Sequence, residues 1–306
     1  MIKLKKILAN EIFAGKSASY TNAALWTEVF HQLEIGSHDA ENANQESEPS
    51  KQVDMTDNPL VVPVTKLRDY YEGLKKLDQN SHEILAKGIC ENLGLLESLW
   101  EKSRKTFSEY ENTNKWANDE NGRRELPVAP DSLDKVGSTN QFTSFFIEHG
   151  MNGNDSLKYV FREINPWRTR GGVFKNGKPA TKTGKGGIDL LLSNNGVPVV
   201  GEVKVKSDKN AFFALIQSLA YAVELSTKNQ QKRLKATFPN AFEEIVEDEP
   251  KIEIAIILVN KTSQLTLEAT KQLVNKINES NKFEGLGRVS IFRNQSDVFE
   301  VFATSS

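Results

Sequence analysis

The chain has 306 residues, 38% of them hydrophobic and 26% charged, with a formal net charge of −2, which suits one large or two ordinary globular domains. No apolar stretch approaches the length needed to span a bilayer, so a membrane partner is not expected. The single cysteine, Cys90, excludes an internal disulfide and a cysteine metal cluster and fits a reducing, cytoplasmic setting. Residues 1–35 read as helical from apolar positions Ile7, Leu8, Ile12 and Phe13 and then Leu25, Trp26, Val29, Phe30 and Leu33. The opening MIKLKKILANEIFAG lacks a long apolar core and a small-residue cleavage site, so it reads as a helix start and not a signal peptide. Residues 36–59 are acidic and polar, as in a flexible linker or long surface loop. A second helical block spans about 64–112, and residues 113–136, with Pro127 and Pro130, form a polar boundary. Residues 1–130 are thus an α-helical N-terminal region without a chemical motif, able to sense a protein partner, build a homo-oligomer or choose a substrate.

Residues 137–306 change character. Ser138–His149 suits a helix with Phe142, Phe145 and Phe146 on one face, and Leu157–Ile164 alternates as a strand. A Gly-, Lys- and Arg-rich loop covers 167–187. Two strands at 188–193 and 198–205 flank an Asn194-Asn195-Gly196 turn and form a hairpin. A helix follows at about 210–226, then a fully apolar strand at 252–259, a helix near 264–280, and short strands near 288–293 and 297–302. The order α-β-β-β-α-β, then further helix and strand, predicts a mixed α/β domain with a largely buried sheet.

Charge is unevenly spread. Residues 1–136 hold 17 Lys+Arg against 23 Asp+Glu, net −6; residues 137–306 are net +4, and residues 158–209 alone are +7. Such a local excess is the footprint of a phosphate-bearing partner, or of a solvated lysine-rich loop. Within it, Gly172 to Lys178 matches the first seven positions of a phosphate-binding G-x-x-x-x-G-K loop. Pro179 stands where Ser or Thr must reach the magnesium ion, and no helical pattern follows, so a nucleotide-binding loop is not expected. A loop laying Arg168, Arg170, Lys175, Lys178, Lys182 and Lys185 against a polyanion fits better.

The hairpin carries three charges among apolar residues: Asp189, Glu202 and Lys204. Residues two apart in a strand share a face, so Glu202 and Lys204 project together. Counted from Gly196, Asp189 lies seven residues before and Glu202 six after, near cross-strand neighbours if a twist or bulge absorbs the offset. Two adjacent carboxylates attract a hard cation, Mg²⁺ or Mn²⁺, and a neighbouring lysine can orient a water or meet developing negative charge. That combination suits phosphodiester cleavage.

Asp189, a twelve-residue gap, then Glu202-Val203-Lys204 resembles the PD-(D/E)xK nuclease superfamily, with its restriction-endonuclease-like α-β-β-β-α-β core. Gly186-Gly187-Ile188 resembles the glycine approach to its aspartate; Ile188 stands where the proline that names the motif would be. Gln217-Ser218-Leu219-Ala220-Tyr221 is similar to the Q-x-x-x-Y element of the RecB-like branch, thirteen residues after Lys204 and at one-turn helical spacing. The resemblance covers about 120 residues and implies a Mg²⁺- or Mn²⁺-dependent deoxyribonuclease of restriction, phage defence or repair. It implies catalytic Asp189, Glu202 and Lys204, metal ligands Asp189, Glu202 and the Val203 carbonyl, and support from Gln217 and Tyr221. A further acidic ligand would be Glu148 or Glu163, and neither has a motif to pin it. His149 could contact phosphate or cap its helix, and Trp167 could stack on a base or fill the core. The alternative function is a catalytically inactive nucleic-acid-binding or assembly subunit that keeps the nuclease fold; another is an α/β protein without a nucleic-acid partner.

Overall fold

The computed structural model describes residues 65–108, 110, 125–166, 174–175, 178–179, 187–206, 210–243, 245–246, 248–260, 265–295 and 298–303. The expected helix in 1–35, the linker 36–59 and the loop residues Trp167, Arg168, Arg170, Lys182 and Lys185 lie outside them. The described residues of 65–74 and 78–303 form one compact unit.

The helical block at 64–112 resolves into α1 (Lys66–Leu74), α2 (Gln79–Glu91) and α3 (Gly94–Ser108). Asp78 starts α2 by accepting the Ser81 N–H, one of the donors that the first helical turn cannot satisfy itself. After a short 3₁₀ turn, Ser138 caps α4 (Thr139–His149) in the same way through Gln141. Strand β1 (Leu157–Ile164) follows, then a two-residue hairpin, β2 (Phe174–Lys175) with β3 (Lys178–Pro179). Backbone pairing there, at the G-x-x-x-x-G-K match, is a tight hairpin and not the helix start that a phosphate loop needs. Then come β4 (Ile188–Asn194), β5 (Val197–Val205), α5 (Ala211–Leu225), α6 (Lys228–Thr237), β6 (Ile252–Val259), α7 (Leu267–Glu279), β7 (Leu286–Gln295) and β8 (Val298–Ala303).

Six strands form one mixed sheet in the order β1-β4-β5-β6-β7-β8. The pairs β1–β4, β4–β5 and β7–β8 are antiparallel; β5–β6 and β6–β7 are parallel. Strand alternation sends Leu190, Leu192, Val199, Val203, Val205, Ala255 and Ile257 to one face, where they meet Phe142, Phe145 and Phe146 of α4. The opposite face receives α5, which runs along β5 and β6. Helices α1 and α3 cover the far side of α5, so all fifteen of its residues are buried. Burial on every side is what an all-round apolar helix such as AFFALIQSLAYAVEL requires. Helices α1, α2 and α3, assigned from sequence to the N-terminal region, therefore share a compact unit with the sheet.

The β4–β5 hairpin sets the register of the three charges. Its turn is the two-residue Asn195-Gly196, with φ of 49° and 84°. Two successive left-handed residues make the turn whose twist matches a tight hairpin, and glycine takes the second position without strain. Pairing then runs from Asn194↔Val197 to Leu190↔Gly201. One step further sets Asp189 level with Glu202, so no bulge is needed to bring them together. Gly201 leaves no room for a side chain against β4: a Cβ there would lie 3.0 Å from Leu190 Cβ.

Candidate functional site

Asp189, Glu202 and Lys204 share the sheet face that α5 covers. Glu202 is 1% and Lys204 5% exposed, whereas Asp189 at the mouth of the hairpin is half-buried. Lys204 Nζ donates to Glu202 Oε1 at 2.5 Å and to Gln217 Oε1 at 3.4 Å, and lies 5.5 Å from the Phe213 ring centre. Glu202 Oε2, also buried, has no donor among the described residues, and Glu202 lies within hydrogen-bonding reach of the Asp189 carboxyl. Burial and then the adjacent Asp189 carboxylate push the Glu202 carboxyl well above the usual range, with Lys204 opposing them.

Asp189 Oδ2 accepts the Val203 N–H at 3.0 Å. The Lys206 N–H bonds Val259 O of β6, so even-numbered residues of β5 turn their backbone groups toward β6 and odd-numbered ones toward β4. N–H and C=O of one strand residue leave by the same edge, so the Val203 carbonyl also faces the β4 edge, where pairing has stopped and Asp189 stands. The Val203 side chain packs into the core on the other face. Two carboxylates side by side, a buried carboxylate oxygen without a donor and a carbonyl on the open strand edge make an all-oxygen donor set suited to a hard divalent cation.

Among the described residues no third His, Cys, Asp or Glu joins this pair. Glu148 is exposed on α4, across the sheet. Glu163 stands level with Asp189, between the pairs Arg162↔Leu190 and Ile164↔Ile188, with a left-handed φ of 54° and an exposed side chain. His149, also exposed, packs its ring on Phe145 at 4.6 Å.

Gln217 and Tyr221 lie one turn apart on α5, as their spacing requires. Gln217 reaches the site; Tyr221 is 1% exposed and its ring lies under the Arg68 guanidinium, 4.2 Å from centroid to carbon. Arg68 comes from α1 and forms a two-pronged ion pair with Glu224, Nε to Oε1 at 3.1 Å and Nη2 to Oε2. Burial works to lower the Arg68 pKa, but Glu224 and Tyr221 outweigh it and hold the group above its usual value. Tyr71, one turn along α1, packs against Phe213 at 5.4 Å and Tyr221 at 6.4 Å. Its hydroxyl titrates above the usual range, through burial first and then through Tyr221 and Glu202. Sequence reasoning missed Arg68, Tyr71 and Glu224; an arginine and a tyrosine three apart on an amphipathic helix carry no signal that says what they will face.

The basic loop enters from Pro166, whose carbonyl accepts from Nη1 of buried Arg233 on α6 at 2.6 Å. Desolvation brings the Arg233 pKa down to about 9. His82 of α2 ties the start of α5: Asn210 caps that helix through the Phe213 N–H and donates to His82 Nδ1, so Nε2 carries the proton given to Leu74 O. No helix among the described residues is long and apolar enough to cross a membrane. No family model, curated protein or solved structure matches the chain.

Proposed function

We propose that the protein is a Mg²⁺- or Mn²⁺-dependent nuclease of the PD-(D/E)xK type that hydrolyses phosphodiester bonds of DNA. The observation that carries this is the pairing of Asp189 with Glu202 on one sheet face, beside Lys204 and at the open backbone edge of Val203. The topology supports it: an antiparallel β1-β4-β5 meander, helix α5, then β6 parallel to β5 is the order of a restriction-endonuclease-like core.

Asp189, Glu202 through Oε2, and the Val203 carbonyl would hold the metal ion. When bound, the ion supplies an activated water and neutralises charge on the phosphate. Lys204 Nζ, positioned by Gln217 Oε1, orients the water and meets the negative charge that develops on the phosphate oxygens. Phe213 and Tyr71 exclude bulk water behind it, which strengthens these interactions. Arg168, Arg170, Lys182 and Lys185 grip the DNA backbone. The near-complete burial of Glu202 and Lys204 favours a second function, a DNA-binding subunit in which the ion pair is structural and no strand is cut.

The test incubates the protein with linear, circular and single-stranded DNA in Mg²⁺, Mn²⁺ or chelator, beside Asp189→Ala and Lys204→Ala. The nuclease gives metal-dependent cleavage that both substitutions abolish. DNA binding without cleavage under every condition supports the non-catalytic subunit, and absence of binding overturns both.

A further inference from the structure

Gln217, Tyr221 and Glu224 stand at i, i+4 and i+7 on α5, one stripe of a helix. At one end of this stripe Gln217 Oε1 takes Lys204 Nζ; at the other Glu224 takes Arg68. Between them the Tyr221 ring lies under the same guanidinium. Arg68 and Tyr71 are i and i+3 on α1, and Tyr71 packs on Phe213, the ring that Lys204 Nζ faces. Thr65, just before α1, also donates to Glu224 Oε1 at 3.3 Å. The contacts of Thr65, Arg68 and Tyr71 with α5 each span more than 140 residues of sequence, and both partners of the ion pair are almost wholly buried. An ion pair in such a place contributes less to stability than an apolar pair of equal size would, so a role in fixing geometry is the better account of its presence.

We propose that Arg68 and Glu224 are positioning residues: their two-pronged pair locks α1 to α5 in the one rotation and height at which Gln217 and Phe213 hold Lys204 against Glu202. Neither residue touches substrate. This inference rests on the nuclease reading for its catalytic consequence, and on geometry alone for the placement of Lys204. It gives the N-terminal helices a chemical task, because the site is incomplete without α1.

The test uses the full chain and two readouts. Glu224→Gln keeps the size and one hydrogen bond but removes the charge; Arg68→Lys keeps the charge but loses the planar fork. Circular dichroism and thermal melting select the variant that stays folded, so either one carries the test. The first readout is acetylation of individual lysines by an N-hydroxysuccinimide ester, followed by mass spectrometry, with Lys276 of α7 as internal reference because Cys90 O of α2 holds it separately. Lys204 acetylation rises about tenfold relative to Lys276, as expected for a side chain released from a packed site. The second readout is cleavage kinetics: kcat falls about tenfold or more with KM unchanged, because a displaced catalytic group loses orientation and not substrate affinity. Unchanged Lys204 acetylation, or a rise shared by Lys276, overturns the proposal whether or not the protein cuts DNA. Raised Lys204 acetylation with unchanged kcat upholds the placement of Lys204 and overturns its catalytic consequence. Raised Lys204 acetylation in a protein that never cleaves DNA upholds the positioning and overturns the nuclease.

Discussion

At the scale of single residues, Lys204 and Glu202 depend on each other. The Glu202 carboxyl is 1% exposed, and burial with a second carboxylate beside it pushes its pKa well up; Lys204, 2.5 Å away, opposes that shift. Removing the lysine alone takes away the group that offsets the burial of that carboxyl; replacing both leaves a neutral pair. Lys204→Met is therefore expected to destabilise the protein by about 3 kcal/mol, and the double variant Glu202→Gln/Lys204→Met to recover most of that loss. Urea denaturation at neutral pH measures it. A double variant whose loss equals the sum of the losses of Lys204→Met and Glu202→Gln alone would show that the two side chains do not interact.

At the scale of elements, β4 and β5 hold the carboxylates together. Their spacing is set at Leu190↔Gly201, the last pair before Asp189 and Glu202. A methyl group at residue 201 would sit 3.0 Å from Leu190 Cβ, 3.2 Å from Leu190 O and 3.3 Å from Leu192 Cδ1. Since these are strand atoms packed in the core, the strands must part. Gly201→Ala is expected to lose about 1–3 kcal/mol of stability, the usual range for overpacking, and to lower cleavage while DNA binding persists. Chemical denaturation with a parallel cleavage and binding assay checks this; a variant with wild-type stability and activity would show that the close approach has no consequence. Elements whose apolar pattern is local were legible. Strands 157–164 and 252–259 stand where alternation and a continuous apolar run placed them, and α5 lies within one residue of its expected ends. Helix α6 was missed: KNQQKRLKAT has a single strongly apolar residue, and its buried side is made of Gln230, Gln231, Arg233 and Leu234, so apolar periodicity had nothing to report.

At the scale of the whole molecule, charge is divided along the chain while the fold is not. The +7 window of residues 158–209 includes the site strands and the loop that Arg233 anchors at Pro166. For the proposed DNA partner, affinity is expected to fall linearly on a log–log plot against salt, and Arg168→Gln/Arg170→Gln to flatten that slope by about 2. Binding titrations in Ca²⁺ across a salt series measure it. A slope unchanged by the double substitution would remove the loop from the interface.

The sequence alone determined the hairpin and the common face of its charges. Alternation along a strand and the left-handed preference of Asn195-Gly196 act over a few residues, so Glu202 and Lys204 share a face, and the two-residue turn sets Asp189 level with Glu202. Spacing also put Gln217 and Tyr221 on one side of a helix. Only the tertiary structure decided what lies across from them. Arg68 meets Glu224 over 156 residues of sequence, and Tyr71 packs on Phe213, because α5 is apolar on every side and needs a second layer of helices to bury it. A buried ion pair has no period and no fixed spacing, so its partners become visible only when packing brings them together.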